Sequence, residues 1–289
     1  MPFIKIFPII SLFMKTVFLF IVVLGLFASC NNADRSNTSA GDGEKVADNT
    51  PPVINYSVVQ ALPHDTSSFT EGLLVHDGQI YESTGTEPGM PQTRRSLFGI
   101  VDPKTGKISP KAELDRNKYF GEGIAFLKDK VYQLTWTTKI GFIYDAKTFK
   151  KTGEFNIPVK EGWGMTTDGS NLIMSDGSSN ISYVDPTTFR LVKVVGVTDN
   201  NGPVSNINEL ELINSFLYAN QWQTNYILKI DPSSGKVVGR LDLTSLANEA
   251  KNKSGSSDTL NGIAYDSATG KIYVTGKLWP NIYEIKFGI

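Results

Sequence analysis

The chain has 289 residues, 40% of them hydrophobic, and a formal net charge of −1. That is enough apolar material for one sizeable core and no electrostatic basis for nucleic-acid binding. A single cysteine, Cys30, excludes an internal disulfide framework, and two histidines without a cysteine cluster argue against a zinc site.

Residues 16–29, TVFLFIVVLGLFAS, form an apolar run behind Lys15. The run is shorter than the ~20 residues of a transmembrane helix and fits the core of a signal peptide. It ends in LFASC, with Ala28 and Ser29 directly before Cys30. This resembles a bacterial lipoprotein processing box, in which Cys30 becomes the lipidated first residue, with Phe27 where such boxes usually carry Leu. An ordinary secretory signal with an incidental cysteine is the plainer alternative. MKTVFLF reads as a start at Met14. The expectation is a signal peptide over 1–29 and a polar, core-less tether over 30–52. The domain would then be exported and held at a bacterial membrane, on its periplasmic or cell-surface side, by the lipid alone.

Residues 53–289 repeat one unit. Val101, Tyr144, Val184 and Ile230 open the phrases VDPKTGK, YDAKTFK, VDPTTFR and IDPSSGK. Asp, usually followed by Pro, at a strand end predicts a tight reversal. Upstream of each phrase stands an apolar strand, a polar turn and a second apolar strand, as in EGLLVHDGQIYES and EGIAFLKDKVYQL; a fifth copy begins at Asn261. Gly72, Gly123, Gly164 and Gly262 open four copies, and Leu210 takes that place in the other. Four short strands every ~40–50 residues predict a β-propeller, here five-bladed with four-stranded antiparallel blades. The last copy ends after its third strand, so the N-terminal segment Val53–Gln60 is expected to complete that blade and close the ring. Only SLANEAKNK, from Ser245, reads as helical.

Hairpin parity then sorts the residues by face. The turns inside each strand pair are short and lie on one side. The opposite side carries the long loops STGTEPGMPQTRRS, GVTDNNGPVSNI and SLANEAKNKSGSSDTL, where function concentrates. The starts of the first strands and the ends of the second strands share that side. They bring Phe69, Glu71, Phe120, Glu122, Trp163, Asn208, Glu209 and Asn261 toward Trp136, Trp222, Lys277 and Trp279. Apolar walls with a few polar groups suit a small-ligand pocket. The competing account has the aromatics filling gaps between blades and the glutamates as solvated rim charges. Glu122, set among apolar neighbours, is the best proton carrier, because an apolar setting raises a carboxyl pKa toward neutrality. Its flanking glycines read as room for a substrate.

In order and spacing, FTEGL, YFGEGIAF, YQLTW, EGWGMTTDG, INELE, YANQW, LNGIA and VTGKLWP resemble the plant-type and bacterial glutaminyl-peptide cyclotransferases, five-bladed propellers. The resemblance spans 53–289. It implies conversion of the N-terminal glutamine of peptides or proteins to pyroglutamate with release of ammonia, by a monomer that needs no metal for catalysis. It implies Glu122 as the general acid/base and Phe69, Phe120, Trp136, Trp163, Asn208, Trp222 and Lys277 as pocket residues. Glu71 stands where the family commonly has Gln, beside the expected proton carrier. The residues leave a structural cation in the central channel open. Two other functions remain at this stage: a tethered propeller that binds a peptide without turnover, and a metal-dependent propeller hydrolase, which the tryptophan-rich mouth disfavours.

Overall fold

The computed structural model describes residues 50–289. Cys30, the expected signal peptide and nearly all of the expected tether lie outside the described residues. Chain order begins with β1 (Tyr56–Pro63), followed by β2 (Thr70–His76), β3 (Gln79–Thr84), β4 (Leu97–Val101) and β5 (Ile108–Glu113). Next come β6 (Gly121–Leu127), β7 (Lys130–Thr135), β8 (Ile140–Asp145) and β9 (Lys151–Asn156), then β10 (Met165–Thr167), β11 (Leu172–Ser175), β12 (Asn180–Val184) and β13 (Leu191–Gly196). A two-stranded ribbon, β14 (Thr198–Asp199) with β15 (Gly202–Pro203), precedes β16 (Ile207–Ile213), β17 (Phe216–Gln221), β18 (Tyr226–Ile230) and β19 (Val237–Asp242). The helix α1 (Thr244–Lys253) leads to β20 (Leu260–Asp266), β21 (Lys271–Gly276) and β22 (Asn281–Phe287).

Four sheets are consecutive four-stranded meanders, and the fifth has the order β1-β22-β21-β20, which makes a five-bladed propeller closed by its N-terminal strand. The repeated Asp works as the sequence predicts. Asp102, Asp145, Asp185 and Asp231 each accept a backbone N–H two residues ahead, and Asp266, at the end of the first strand of the last blade, does the same. An aspartate that bonds its own turn in this way makes the reversal local and repeatable.

The closing strand sits three residues later than Val53–Gln60. Its first residues serve the neighbouring blade instead: Ile54 N donates to Arg240 O at 2.7 Å, and Arg240 N donates to Pro52 O at 2.9 Å. Only after that crossing does β1 pair with β22, from Tyr56 opposite Phe287 to Pro63 opposite Asn281.

The closure is locked by a buried ion pair. His64, just past β1, places Nδ1 2.7 Å from Trp279 O and Nε2 3.0 Å from a Glu82 oxygen in β3. A carbonyl and a carboxylate only accept, so both ring nitrogens donate and the imidazole is charged. Thr70 Oγ1 donates to the same Glu82 oxygen at 2.7 Å. Burial alone would pull the His64 pKa down. The Glu82 charge and hydrogen bond, the Trp279 carbonyl and the charge of Asp65 together hold it above its ordinary value.

The innermost strands converge so tightly that their backbones touch. A Cβ on Gly123 would stand 2.5 Å from Met165 N in the next blade, and one on Gly164 would stand 2.2 Å from Asn208 O. A Cβ on Gly72 would stand 3.1 Å from the Gly123 Cα. The repeated glycines therefore make room for the adjacent blade. In the blade without one, side chains bridge instead: Glu209 accepts Leu73 N at 3.3 Å and Ile263 N at 2.8 Å.

Glu82→Gln is expected to destabilise the fold by about 3–5 kcal/mol, the loss typical of one partner of a buried ion pair. Because the folded His64 pKa is raised, its stabilisation is complete below about pH 6.5 and is lost as pH rises through the raised value. Urea unfolding between pH 6 and 9 checks both points. The destabilisation in Glu82→Gln should shrink as pH rises; a penalty that stays constant across the range would contradict the charged-His64 assignment.

Candidate functional site

The first strand of a blade begins irregularly in four of the five copies. The pairing register shifts between Thr70 and Gly72, Gly121 and Ile124, Ile207 and Leu210, and Leu260 and Ile263. The residues caught in these bulges are Glu71, Glu122 with Gly123, Asn208 with Glu209, and Asn261 with Gly262. A bulge breaks the two-residue alternation and re-aims a side chain. Here it turns polar groups out of the blade and toward the channel mouth.

A cavity of about 420 Å³ opens at that mouth. Of the residues that parity brought to the mouth, Phe69, Glu71, Phe120, Glu122, Trp136, Trp163, Asn208, Trp222 and Lys277 line it, while Asn261 and Glu209 lie buried behind. Trp279 does not join them. It is fully buried among the blade-packing residues, and its Nε1 donates to Asp258 O at 2.8 Å. For that tryptophan the gap-filling account holds. For the glutamates it fails: Glu71, Glu122 and Glu209 are buried. Glu209 belongs to the channel wall, where both carboxylate oxygens hold backbone N–H groups.

The rings form an arc of two edge-to-face runs. Phe69 meets Phe120 at 6.1 Å between centroids, Phe120 meets Trp136 at 5.8 Å, and Trp163 meets Trp222 at 5.5 Å. The Phe69 ring sits against two cations, with Lys277 Nζ 4.5 Å and the Arg94 guanidinium 5.9 Å from its centroid.

Inside the arc stands a charged cluster. Lys277 Nζ donates to Glu71 Oε1 at 2.7 Å, and Asn261 Nδ2 donates to Glu71 Oε2 at 3.3 Å. The Glu71 and Glu122 carboxyls are buried neighbours, each acting on the proton affinity of the other. Burial pushes the Glu122 carboxyl well above the usual range; the Glu71 charge adds to this, Lys277 opposes it, and Glu161 adds a further push. Burial likewise raises Glu71, against the pull of Lys277. The Glu122 backbone is held from behind: Ser83 Oγ donates to Glu122 O at 2.5 Å, Gln133 Nε2 donates to Ser83 Oγ at 3.2 Å, and Tyr144 OH donates to Gln133 Oε1 at 3.1 Å.

Asn208 is held by its own carbonyl, which accepts from Ser175 Oγ at 2.7 Å, while its side-chain Oδ1 has no protein partner. An amide left unpaired at a cavity wall is available to a ligand. Among the described residues no group of three or more His, Cys, Asp or Glu side chains is gathered to hold a metal ion.

Two readings from sequence change. The glycines around Glu122 are filled by neighbouring backbone, since a Cβ on Gly121 would meet Thr84 O at 2.6 Å, so they are not substrate space. Lys277 is tied first to Glu71. Sequence reasoning also missed several lining residues, among them Thr86, Met90, Arg94 and Asp258, which lie in two of the long loops flagged on this face. It missed Glu161, although an acid two positions before Trp163 was visible in EGWGMTTDG.

A family model described as glutamine cyclotransferase matches residues 26–287. A glutaminyl-peptide cyclotransferase of Arabidopsis thaliana is 40% identical over 232 residues, which cover 79% of this chain and 70% of that protein. The crystal structure of Myxococcus xanthus glutaminyl cyclase superimposes with a TM-score of 0.73 at 31% identity, covering 82% of this chain and 98% of the other.

Lys277→Met would leave two buried carboxyls without their cation. At low pH both are protonated and the loss is small. As pH rises an unpaired charge must be buried, and the loss should approach the 3–5 kcal/mol typical of a broken buried pair. Denaturant midpoints at pH 5 and pH 8 check this; equal destabilisation at the two values would contradict the cluster.

Proposed function

The chain belongs to the glutamine cyclotransferase family and is a glutaminyl-peptide cyclotransferase; we propose that it closes an N-terminal glutamine to pyroglutamate with Glu122 as the proton carrier and no catalytic metal. The observation that carries this reading is a buried carboxyl, raised in pKa, that lines a cavity walled by aromatics together with a second buried carboxyl and a lysine.

The reaction needs a neutral α-amine folded back onto its own side-chain carboxamide. The amine nitrogen attacks the amide carbon, a C–N bond forms, and the carbonyl oxygen takes up negative charge. The old C–N bond then breaks and ammonia departs. One proton leaves the attacking nitrogen and one must reach the departing nitrogen, so a single carboxyl that accepts and then donates balances both steps. A carboxyl with an ordinary pKa would be a poor donor near neutrality; one raised by burial and by Glu71 is suited to both halves.

The remaining residues then have defined tasks. The aromatic arc encloses a folded-back glutamine and excludes water, which favours the attacking conformer. Asn208 would bind a carbonyl oxygen through its Nδ2 hydrogens, while its unpaired Oδ1 can accept a substrate N–H. Lys277, with three ammonium hydrogens and one of them on Glu71, has two more to offer developing negative charge. Glu71, in place of a neutral amide, holds Lys277 in position and keeps the Glu122 pKa high.

From the sequence alone we also propose that the protein is exported and lipidated at Cys30. Membrane-fraction recovery of the native protein, lost in Cys30→Ser, would support this; equal recovery of the two would overturn it.

Glu122→Gln is expected to lower ammonia release from glutaminyl dipeptides by about 10²–10⁴-fold, the contribution typical of a general acid/base. Wild-type activity should survive a chelator unchanged. Full activity in Glu122→Gln would overturn the role of Glu122, and loss of activity with chelator would overturn the metal-free mechanism. Binding of such peptides without turnover would favour a non-catalytic propeller.

A further inference from the structure

The aromatic arc has one joint that ring contact does not make. Trp136 follows β7 in the second blade, and Trp163 precedes β10 in the third. The two indoles meet instead on a single atom. Trp136 Nε1 donates to Glu161 Oε2 at 2.7 Å, and Trp163 Nε1 donates to the same oxygen at 2.9 Å. Glu161 lies on the connection between β9 and β10, outside the lining of the cavity. Its other oxygen is 4.0 Å from the exposed Lys160 ammonium, a weak surface pairing.

Resting on the cyclotransferase reading above, we propose that Glu161 is a positioning residue for the reaction: it fastens Trp136 and Trp163 to each other across two blades and so sets the width of the slot that receives the glutamine side chain. An indole N–H donates only, and the half-buried indoles of Trp136 and Trp163 both find their acceptor in Glu161. With both satisfied by Glu161, neither is left to capture the substrate carboxamide in an unproductive pose. The two rings also carry the arc on either side, Trp136 against Phe120 and Trp163 against Trp222. Releasing them would loosen both ends of the wall.

The carboxylate also acts at a distance. The charges bearing on Glu122 are Glu71, Lys277 and Glu161, and the Glu161 charge pushes the Glu122 proton affinity upward. Positioning uses one oxygen as an acceptor; the electrostatic effect uses the charge. A glutamine separates the two, since its carbonyl oxygen can accept both indole hydrogens without carrying charge.

Steady-state ammonia release across pH and near-ultraviolet circular dichroism are measured on wild type, Glu161→Gln and Glu161→Ala. The proposal expects Glu161→Gln to keep the tryptophan dichroism and a KM within about twofold of wild type, with the acidic limb of kcat/KM moved to lower pH. It expects Glu161→Ala to change the tryptophan dichroism and raise KM by about tenfold or more, as two lost hydrogen bonds would. An alanine variant with unchanged dichroism and KM would overturn it. So would a glutamine variant with altered dichroism and raised KM. The dichroism reads the clamp whether or not the enzyme turns over. Failure of the cyclotransferase reading would show separately, as no ammonia release by wild type.

Discussion

The molecule depends on how closely five innermost strands approach around one channel. Strands that close cannot all keep a side chain at the contact, and the chain resolves this in two ways. Gly72, Gly123 and Gly164 remove the Cβ where the next backbone arrives. Glu209, in the blade without the repeated glycine, spans the gap with its carboxylate and ties the first and fifth blades through backbone N–H groups. The same crowding accompanies a register slip at the start of four innermost strands. Those slips turn Glu71, Glu122 and Asn208 toward the mouth. Scaffold and site therefore share one cause: the geometry that packs the blades also places the polar groups.

Once placed there, the groups cannot be treated one at a time. Lys277 is bonded to Glu71, and its charge and that of Glu71 both act on the buried Glu122 carboxyl. The cluster is buried among aromatic walls, so each charge acts strongly on the next. The proton affinity of Glu122 is thus a property of the cluster. Ser83, Gln133 and Tyr144 fix its backbone from behind, and Glu161 holds the wall in front while adding its own charge. A side chain so held needs little reorganisation during reaction, which is the advantage of a preformed site.

Much of this was legible in the sequence because the signals are local and periodic. The Asp turns repeat as written, since an aspartate bonding its own reversal needs no distant partner. Parity along hairpins was enough to bring Phe69, Phe120, Trp136, Trp163, Trp222 and Lys277 to one mouth. What failed depended on contacts between blades. The glycines beside Glu122 looked like substrate space because their true occupant, the backbone of the next blade, is remote in sequence. Trp279 shares the parity of the pocket tryptophans, yet its Nε1 turns to the Asp258 carbonyl and its ring fills the core. The closing strand began three residues late because Pro52 and Ile54 first pair with Arg240. Glu161 carried no periodic mark, and its role exists only once two indoles from different blades converge on it. The two carboxyls were read as neighbours, but the lysine between them was read as a substrate ligand because pairing at a distance leaves no trace in spacing.

On the proposed mechanism the carboxyl of Glu122, held above its ordinary proton affinity by this cluster, is the group whose ionisation switches the enzyme on. The most direct measurement is the Glu122 titration itself, followed by carboxyl-carbon NMR on wild-type protein and laid over the pH dependence of kcat/KM. The account predicts a Glu122 carboxyl that titrates well above the ordinary ~4.3 of a glutamate and an acidic limb of the rate profile that coincides with it. A Glu122 that titrates near its ordinary value, or an acidic limb displaced from the titration, would contradict it.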